Sequence, residues 1–405
     1  MPLSKATAAS VETSLWTPDY LALLSANLLI CLGFYMLPST LPAYVKGIGG
    51  DQLQVSLVIG SFSIMSLMAR FISGPIVDEI GEKRVIIAGV AIIVATTLAF
   101  IWMPVNGILL LRSVQGLGWG VATVAIASAV FKVVPQARRG EGSGYYVLTV
   151  ITSLSVTPVI AILLMRATSY AVMLGASALL TLTTILLLNR ALVAIPPPAN
   201  HHQPTRKISW RNVFEPKAFL PSFLCFIVSM PLSAVMSFLV LFGQEQRIDE
   251  IWIFFVGYTL MILVTRPFIG RLFDRRGHAI IILPGCLAMM VGLAVLSVTG
   301  QSLFMLVLAS LFYGLGYGAV HPSLQAWAVN RSPVDRKAAA NGLYLSGIDL
   351  GYLIGTLVLG FIAERESFAR MYLYSIITLV VFLGIYLKEL AKERSAKATR
   401  IVPGK

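Results

Sequence analysis

Long apolar stretches, separated by short polar segments, run along the whole chain. Twelve of them approach or exceed the roughly 20 residues that an α-helix needs to cross a bilayer. They cover residues 19–45, 54–77, 84–103, 106–132, 142–165, 168–190, 217–243, 249–273, 278–299, 302–328, 337–363 and 369–390. Continuous apolar runs of this length favour helices, because the strands of a barrel alternate between apolar and polar positions. The pattern therefore predicts an all-α integral membrane protein with twelve transmembrane helices.

The longest polar interruption is rich in proline and charge, and it divides the spans into two sets of six. The predicted parts are an N-terminal six-helix bundle over 1–190, a cytoplasmic linker over 191–216, a C-terminal six-helix bundle over 217–390 and a basic cytoplasmic tail over 391–405. The linker holds His201 and His202, which are too few ligands for a metal cage. We therefore expect this segment to be a solvated connection.

The two halves repeat the same motifs. ARFISGPIVDEIGEKR (69–84) and TRPFIGRLFDRRGHA (265–279) carry Arg, Gly, Asp and Gly at the same intervals. GLGWG (116–120) in the fourth span likewise matches GLGYG (314–318) in the tenth, at a similar offset. A near-constant offset indicates a duplication with parallel topology. It predicts two pseudo-symmetric bundles that face each other around a cavity near the midplane.

Twelve spans, a central linker and this repeated loop motif resemble the major facilitator superfamily over nearly the whole chain. The family motif reads roughly Gly-x-x-x-Asp-Arg-x-Gly-Arg-Lys, and Glu79 and Glu82 depart from it by replacing basic residues. In that family the motif serves as a conformational latch. The resemblance assigns this role to Gly74, Asp78, Gly81, Arg84, Gly270, Asp274, Arg275 and Gly277.

The latch has a physical rationale. The first glycine of each copy lets a neighbouring helix approach closely, and the second permits a tight turn. The aspartate can lie against the positive end of a helix in the opposite half, although a loop charge that merely satisfies a helix end is the alternative. Arg70 and Arg266 lie four residues before the first glycine, at a depth where a lipid-facing charge costs about 2–3 kcal/mol. Their recurrence favours support of the latch over contact with substrate.

Composition excludes a soluble protein and fixes the topology. Only 12% of the residues are charged and 57% are hydrophobic, with a mean hydropathy of +0.83, against about 25% charged in soluble domains. The net charge of +13 invites a nucleic-acid interpretation. Most of the Lys and Arg residues, however, lie in the N-terminal tail, alternate loops and the C-terminal tail, which is the positive-inside pattern. It predicts cytoplasmic termini and no nucleic-acid partner, and the polar start shows no signal peptide.

Two charged residues lie deeper in the spans. Arg112 lies in the fourth span and must face a cavity or a partner, unless it snorkels outward. The family's antiporters carry an arginine followed by Gln-Gly in this helix, which Arg112, Gln115 and Gly116 match, so the resemblance implies proton coupling or substrate binding. Asp349 is the only acid in the eleventh span and falls near its midpoint. We predict that Asp349 is the proton site, with a static hydrogen bond or a buried salt bridge as the alternative.

Further polar residues at membrane depth are candidates for a substrate cavity. His321 can relay a proton or coordinate a metal-bearing substrate, or it can simply be a hydrogen-bonded helix residue. The remaining candidates are Asn27, Gln115, Tyr344 and Tyr352, because polar groups at this depth need a non-lipid neighbour. The three cysteines fit no disulfide or metal pattern and are expected to be small packing residues. We expect no metal and no cofactor.

These features favour a secondary transporter that works by alternating access. No phosphate-binding loop suggests ATP-driven transport, and no catalytic cluster suggests an enzyme. Proton-coupled efflux of a small polar or zwitterionic molecule, a drug or a metabolite, is the leading hypothesis, although the efflux signature of the fifth span keeps only Pro158 clearly. Proton-coupled uptake by symport and a non-transporting sensor on the same fold remain alternatives. The expected setting is the bacterial inner membrane, and the protein is expected to be a monomer.

Overall fold

The computed structural model describes residues 15–135, 138–191, 215–333 and 336–401. Within these ranges the chain forms twelve α-helices and one short 3-10 turn, Pro216–Ala218. The first six helices are α1 Pro18–Gly47, α2 Gln52–Ile80, α3 Glu82–Ala99, α4 Val105–Val133, α5 Arg139–Ala167 and α6 Tyr170–Ala191. The last six are α7 Phe219–Gln246, α8 Trp252–Arg276, α9 Ala279–Ser297, α10 Leu303–Arg331, α11 Lys337–Arg365 and α12 Phe368–Ile401. Each of the twelve predicted spans coincides with one of these helices.

Ten of the described helices are long and apolar enough to cross a membrane by length and composition. The apolar part of α8, Trp252–Arg266, is shorter, and the first turn of α3 is charged (Glu82, Lys83 and Arg84). Together with the shorter helices the set is that of a twelve-helix membrane protein.

The last helix continues beyond its predicted span. α12 has 34 residues, which corresponds to about 50 Å, whereas the apolar core of a bilayer is about 30 Å thick. Residues 391–401, predicted as a separate tail, are therefore a helical extension. The segment AKERSAKATRI contains many strong helix formers and no Gly or Pro, which explains why the helix does not end at the apolar boundary.

The chain divides into two compact units, one ending at residue 206 and the other beginning at residue 207. The predicted linker falls almost entirely on 192–214, outside the described residues, and so do His201 and His202. Each unit contains six of the helices, and each can be described by itself.

In the first unit, the glycines of GLGWG let α4 pack between two neighbours. A Cβ atom added at Gly116 would lie 2.5 Å from the carbonyl oxygen of Phe62 on α2. A Cβ at Gly118, on the other side of the helix, would lie 2.9 Å from the carbonyl oxygen of Gly89 on α3. These separations are below van der Waals contact, so larger residues would force the helices apart.

The second unit uses GLGYG in the same way on α10. A Cβ at Gly314 would lie 2.6 Å from the carbonyl oxygen of Tyr258 on α8, and one at Gly316 would lie 2.4 Å from that of Gly285 on α9. The motif shared by the two halves therefore performs one packing role. It brings the fourth helix of each unit against the second and the third.

Candidate functional site

Arg112 is the centre of a buried polar group in the first unit. Its side chain is 0% exposed, and its Nε donates to the carbonyl oxygen of Val58 on α2 at 3.2 Å. Its Nη1 donates to Oε1 of Gln115, one turn further along α4. Gln115 in turn donates through Nε2 to Oγ1 of Thr97 on α3 at 2.8 Å. The structure thus joins the predicted pair Arg112 and Gln115, and it adds Thr97, which the sequence had not indicated.

Aromatic rings pack around the guanidinium. The Cζ atom of Arg112 lies 4.4 Å from the ring centre of Phe62 and 5.4 Å from that of Phe34. Phe34 stacks on Trp119 with ring centres 3.9 Å apart. A cation held against aromatic faces is stabilised by the ring quadrupoles. These contacts exclude the interpretation that Arg112 snorkels outward from α4.

Asn27 belongs to a different contact of the same unit. Its Nδ2 donates to Oγ1 of Thr149 on α5 at 2.7 Å. Ser153, one turn further along α5, donates to the carbonyl oxygen of Leu28 at 3.3 Å. Asn27, predicted to line a cavity, therefore joins α1 to α5.

A second buried polar group lies in the second unit, around His321 of α10. The Tyr344 hydroxyl of α11 lies 2.6 Å from Nδ1 of His321 and donates to the carbonyl oxygen of His321 at 2.7 Å. On the other side of the ring, Sγ of Cys225 on α7 lies 3.7 Å from Nε2. Because the Tyr344 proton points to the carbonyl, Nδ1–H can donate to the phenol oxygen and Nε2 can accept from the thiol. Three helices thus meet at one imidazole.

Two charged residues lie within electrostatic range of this group. Asp349, half-buried on α11, lies within electrostatic range of the Cys225 thiol. Arg266 of α8 lies within electrostatic range of Tyr344 and of His321. The structure therefore associates Arg266, predicted as support for the latch, with the polar group around His321. Tyr352, also on α11, lies within electrostatic range of Tyr317, whose ring centre is 4.9 Å from that of His321.

Cys225, expected to be only a packing residue, belongs to this group as well. The thiol is buried, as expected, but it lies within hydrogen-bonding distance of the imidazole. A single cysteine in an apolar span carries no spacing signal, so only the fold could reveal this contact. The described residues contain no cluster of three or more His, Cys, Asp or Glu side chains that could hold a metal ion.

The predicted latch is only partly described. The backbones of Asp78, Gly270 and Asp274 continue α2 and α8. The side chains of the two aspartates and the burial of Gly270 lie outside the described part of the structure. Gly81 and Gly277 have φ values of +90° and +77°. This left-handed region favours glycine, and both residues make the turn for which the sequence analysis expected glycine.

Three other latch residues are accessible or loosely packed. Among the described residues, no heavy atom lies within 4 Å of a Cβ added at Gly74. The close helix approach expected there is therefore absent from this part of the structure. Arg84 and Arg275 are exposed, and Arg70 lies within electrostatic range of Tyr146 on α5.

Glu82, which departs from the family motif, is buried at the start of α3 with only 4% of its surface exposed. It forms an ion pair with Lys132 at the end of α4 and accepts a hydrogen bond from Ser128 at 2.9 Å. Burial by itself raises the pKa of the Glu82 carboxyl, but the hydrogen bonds from Lys132, the backbone and Ser128, with the charge of Lys132, bring that pKa below its ordinary value. The acidic replacement is thus neutralised within its own unit.

His278 occupies the corresponding position before α9. Its ring stacks on Trp327 of α10 with centres 4.4 Å apart, and its Nδ1 lies 2.6 Å from the Tyr386 hydroxyl of α12. Its Nε2 lies 3.4 Å from Oε2 of Glu393 on the extension of α12. Arg331 also reaches this extension through Oε1 of Glu393, at 3.5 Å. Different residues thus connect the start of the third helix to the end of the fourth in each unit.

Comparison with known proteins agrees with this architecture. The chain is 26% identical over 368 residues to the uncharacterized MFS-type transporter MJ1560 of Methanocaldococcus jannaschii, covering 88% of this chain and 94% of the relative. It is 20% identical over 364 residues to the staphylopine export protein of Staphylococcus aureus, covering 86% and 90% of the two chains. The crystal structure of the nucleoside transporter NupG superposes with a TM-score of 0.70 at 17% identity, covering 91% of this chain and 99% of that one.

The family model of the Major Facilitator Superfamily matches residues 23–256 and 247–402. Together these segments span nearly all of both units. The twelve helices, the repeated loop motif and this match lead to the same conclusion. The chain belongs to the Major Facilitator Superfamily of transporters.

Proposed function

We propose that the protein exports a small organic molecule in exchange for protons by alternating access. The observation that carries this proposal is the group formed by His321, Tyr344 and Cys225, with Asp349 in electrostatic range. These residues come from α7, α10 and α11 of one unit. Protonatable side chains inside an apolar bundle are costly to keep unless they serve a function.

Proton coupling follows from the cost of charge at this depth. A charged carboxylate in an apolar bundle needs a polar partner, whereas a protonated one does not. Uptake or release of a proton by Asp349 therefore changes which helix arrangement is the most stable. His321 and Tyr344 supply hydrogen bonds through which such a change can spread from α11 to α10. A ligand or proton shifts a conformational equilibrium only by binding one state better than the other.

Export is the proposed direction. The staphylopine export protein is named for outward transport, and its match covers most of both chains. The arginine of the fourth span also has the antiporter pattern. Both observations support efflux over uptake, and a transport measurement tests the direction.

The test uses everted membrane vesicles with an imposed proton gradient. Cationic drugs, sugars and amino-acid-derived chelators are added one at a time, and dissipation of the gradient is recorded. We expect at least one compound to release protons through the wild type and not through Asp349→Asn. Arg166→Gln, at an exposed position at the end of α5, is the control for a charge change outside the proposed site.

Other outcomes would contradict the proposal. Proton movement in the same direction as the compound would indicate symport. If Asp349→Asn released protons as the wild type does, Asp349 would not be the proton site. Normal signalling in Asp78→Asn and Asp274→Asn, without any flux, would favour a sensor, because a sensor need not alternate between two open states.

A further inference from the structure

The Arg112 guanidinium has donor capacity that the described residues do not satisfy. Nε and Nη1 are bonded to Val58 and Gln115. Nη2 is buried and has no hydrogen-bond partner among the described residues. A buried donor left without an acceptor costs about 1–3 kcal/mol, and more when it is charged. Such a group in a transporter indicates a missing acceptor.

No carboxylate in the predicted spans of the first unit lies near enough to be this acceptor. The first six predicted spans contain one acidic residue, Asp19, at the start of the first span. Because successive helices run in opposite directions, the start of α1 lies at the opposite end of the unit from the start of α4. Asp19 is therefore far from Arg112, which lies two turns into α4.

One of two stacked tyrosines lines a cavity of the same unit, and the other lies within electrostatic range of Arg112. Tyr170, the first residue of α6, lies within electrostatic range of Arg112. Its ring stacks on Tyr44 with centres 3.7 Å apart. Tyr44 lines a cavity of about 590 Å³ together with Gln54, Trp102 and Asn106. The stacked pair thus links a residue that lines this cavity to a residue within electrostatic range of the guanidinium.

We propose that Arg112 binds the carboxylate of a monoanionic substrate that has an apolar or aromatic body. A guanidinium presents parallel N–H donors that match the two oxygens of a carboxylate. The rings of Phe34 and Phe62 offer apolar surface beside the charge. Because the Arg112 guanidinium is a single cation, it favours a substrate that carries a single negative charge. This inference rests on the proposed transport function and narrows its substrate class.

In the described conformation the guanidinium is closed off. Arg112 is 0% exposed, and the rings of Phe34 and Phe62 pack against its guanidinium. The carboxylate therefore reaches Nη2 only when these rings move apart, as alternating access requires. The fixed bonds to Val58 and Gln115 keep the guanidinium oriented while the rings move.

The test measures binding to the full-length protein purified in detergent, without a proton gradient. The probe is radiolabelled benzoate in equilibrium dialysis, and benzamide is its neutral analogue of the same shape. We expect saturable benzoate binding that benzamide does not displace. Arg112→Gln should weaken binding by about tenfold or more, whereas Arg112→Lys, which keeps the charge but loses the planar fork, should weaken it less. Arg166→Gln should bind as the wild type does.

The proposal is overturned if the wild type shows no saturable benzoate binding, or if Arg112→Gln binds equally well. It is also overturned if benzamide displaces benzoate as effectively as unlabelled benzoate does. This last comparison uses only the wild type and so remains decisive if Arg112→Gln fails to fold. Because binding is measured without a proton gradient, failure of the carboxylate site can be distinguished from failure of the proposed transport function. Coupled flux of a cationic drug without benzoate binding removes only the carboxylate site, and Arg112-dependent binding without coupled flux removes only proton exchange.

Discussion

The hydroxyl of Tyr344 lies 2.6 Å from Nδ1 of His321 and 2.7 Å from the carbonyl oxygen of the same residue. One side chain of α11 thus holds both the ring and the backbone of a residue on α10. Tyr344 therefore fixes the imidazole in one orientation toward Cys225.

Removing this hydroxyl should weaken the second unit. In Tyr344→Phe the imidazole loses a buried partner at Nδ1, so we expect a loss of about 1–3 kcal/mol in the free energy of unfolding. Thermal unfolding in detergent measures it. Tyr374→Phe, at an exposed position on α12, is the matched control and should unfold like the wild type. Equal unfolding of both variants would show that the contact is not maintained.

The ion pair between Glu82 and Lys132 should make stability depend on pH. The pKa of Glu82 lies below its ordinary value of 4.5, so the contribution is fully present above that value. It is lost as the pH falls through the folded-state pKa. Glu82→Gln should therefore be less stable than the wild type at pH 7, by about 1 kcal/mol because Lys132 is half-exposed.

The same difference should shrink as the solution is acidified from about pH 5 toward pH 3, because the wild-type carboxyl then takes up a proton. Unfolding of both proteins across this range measures the effect. Glu79→Gln, an exposed neighbour, should show no such difference at any pH. If the difference in stability between Glu82→Gln and the wild type stayed constant across this pH range, Glu82 would not be ionised in the folded protein.

Close packing of α11 against α7 gives a third prediction. A Cβ at Gly351 would lie 2.4 Å from the carbonyl oxygen of Phe226, so Gly351→Ala should cost about 1–3 kcal/mol through overpacking. Gly342→Ala, on the same helix, meets no described atom within 4 Å. It should be neutral or slightly stabilising because alanine favours helix. Thermal unfolding compares the two variants, and Gly351→Ala should melt at the lower temperature. Similar melting temperatures would exclude the steric explanation.

The C-terminal part of α12, from Glu389 onward, should be held by ion pairs with the end of α10. Arg331 contacts Glu389 at 3.2 Å and Glu393 at 3.5 Å. A double-mutant cycle with Arg331→Gln and Glu389→Gln should give a coupling of about 0.5–1 kcal/mol, since both side chains are partly buried. The coupling should decrease in high salt. Additive effects of the two substitutions would show that the pair contributes nothing.

Some site residues could be identified from the sequence because their chemistry conflicts with their position. Arg112 and Asp349 are charged residues in apolar spans, and such a conflict is visible without coordinates. The partners of these residues were not visible. Thr97 and Phe62 are ordinary residues for an apolar helix, and they matter only because α2, α3 and α4 meet at Arg112.

The glycine-rich face of α11 is an intermediate case. Gly347, Gly351 and Gly355 recur every four residues, which places them on one face of a helix. This spacing predicts close contact with some neighbouring helix. Only the structure identifies that neighbour as α7, where Ser222, Phe226 and Met230 approach the three glycines.

The sequence by itself determined the class of protein, the twelve helices and the division into two repeated halves. Apolar length and periodic repetition are local properties, and the bilayer leaves a helix few alternatives. The tertiary structure decided which polar residues share a site. It placed Cys225 and Arg266 with His321, joined Asn27 to α5, and neutralised Glu82 with Lys132. These contacts depend on the rotation and neighbours of each helix, which are set by side-chain packing between segments distant in the chain.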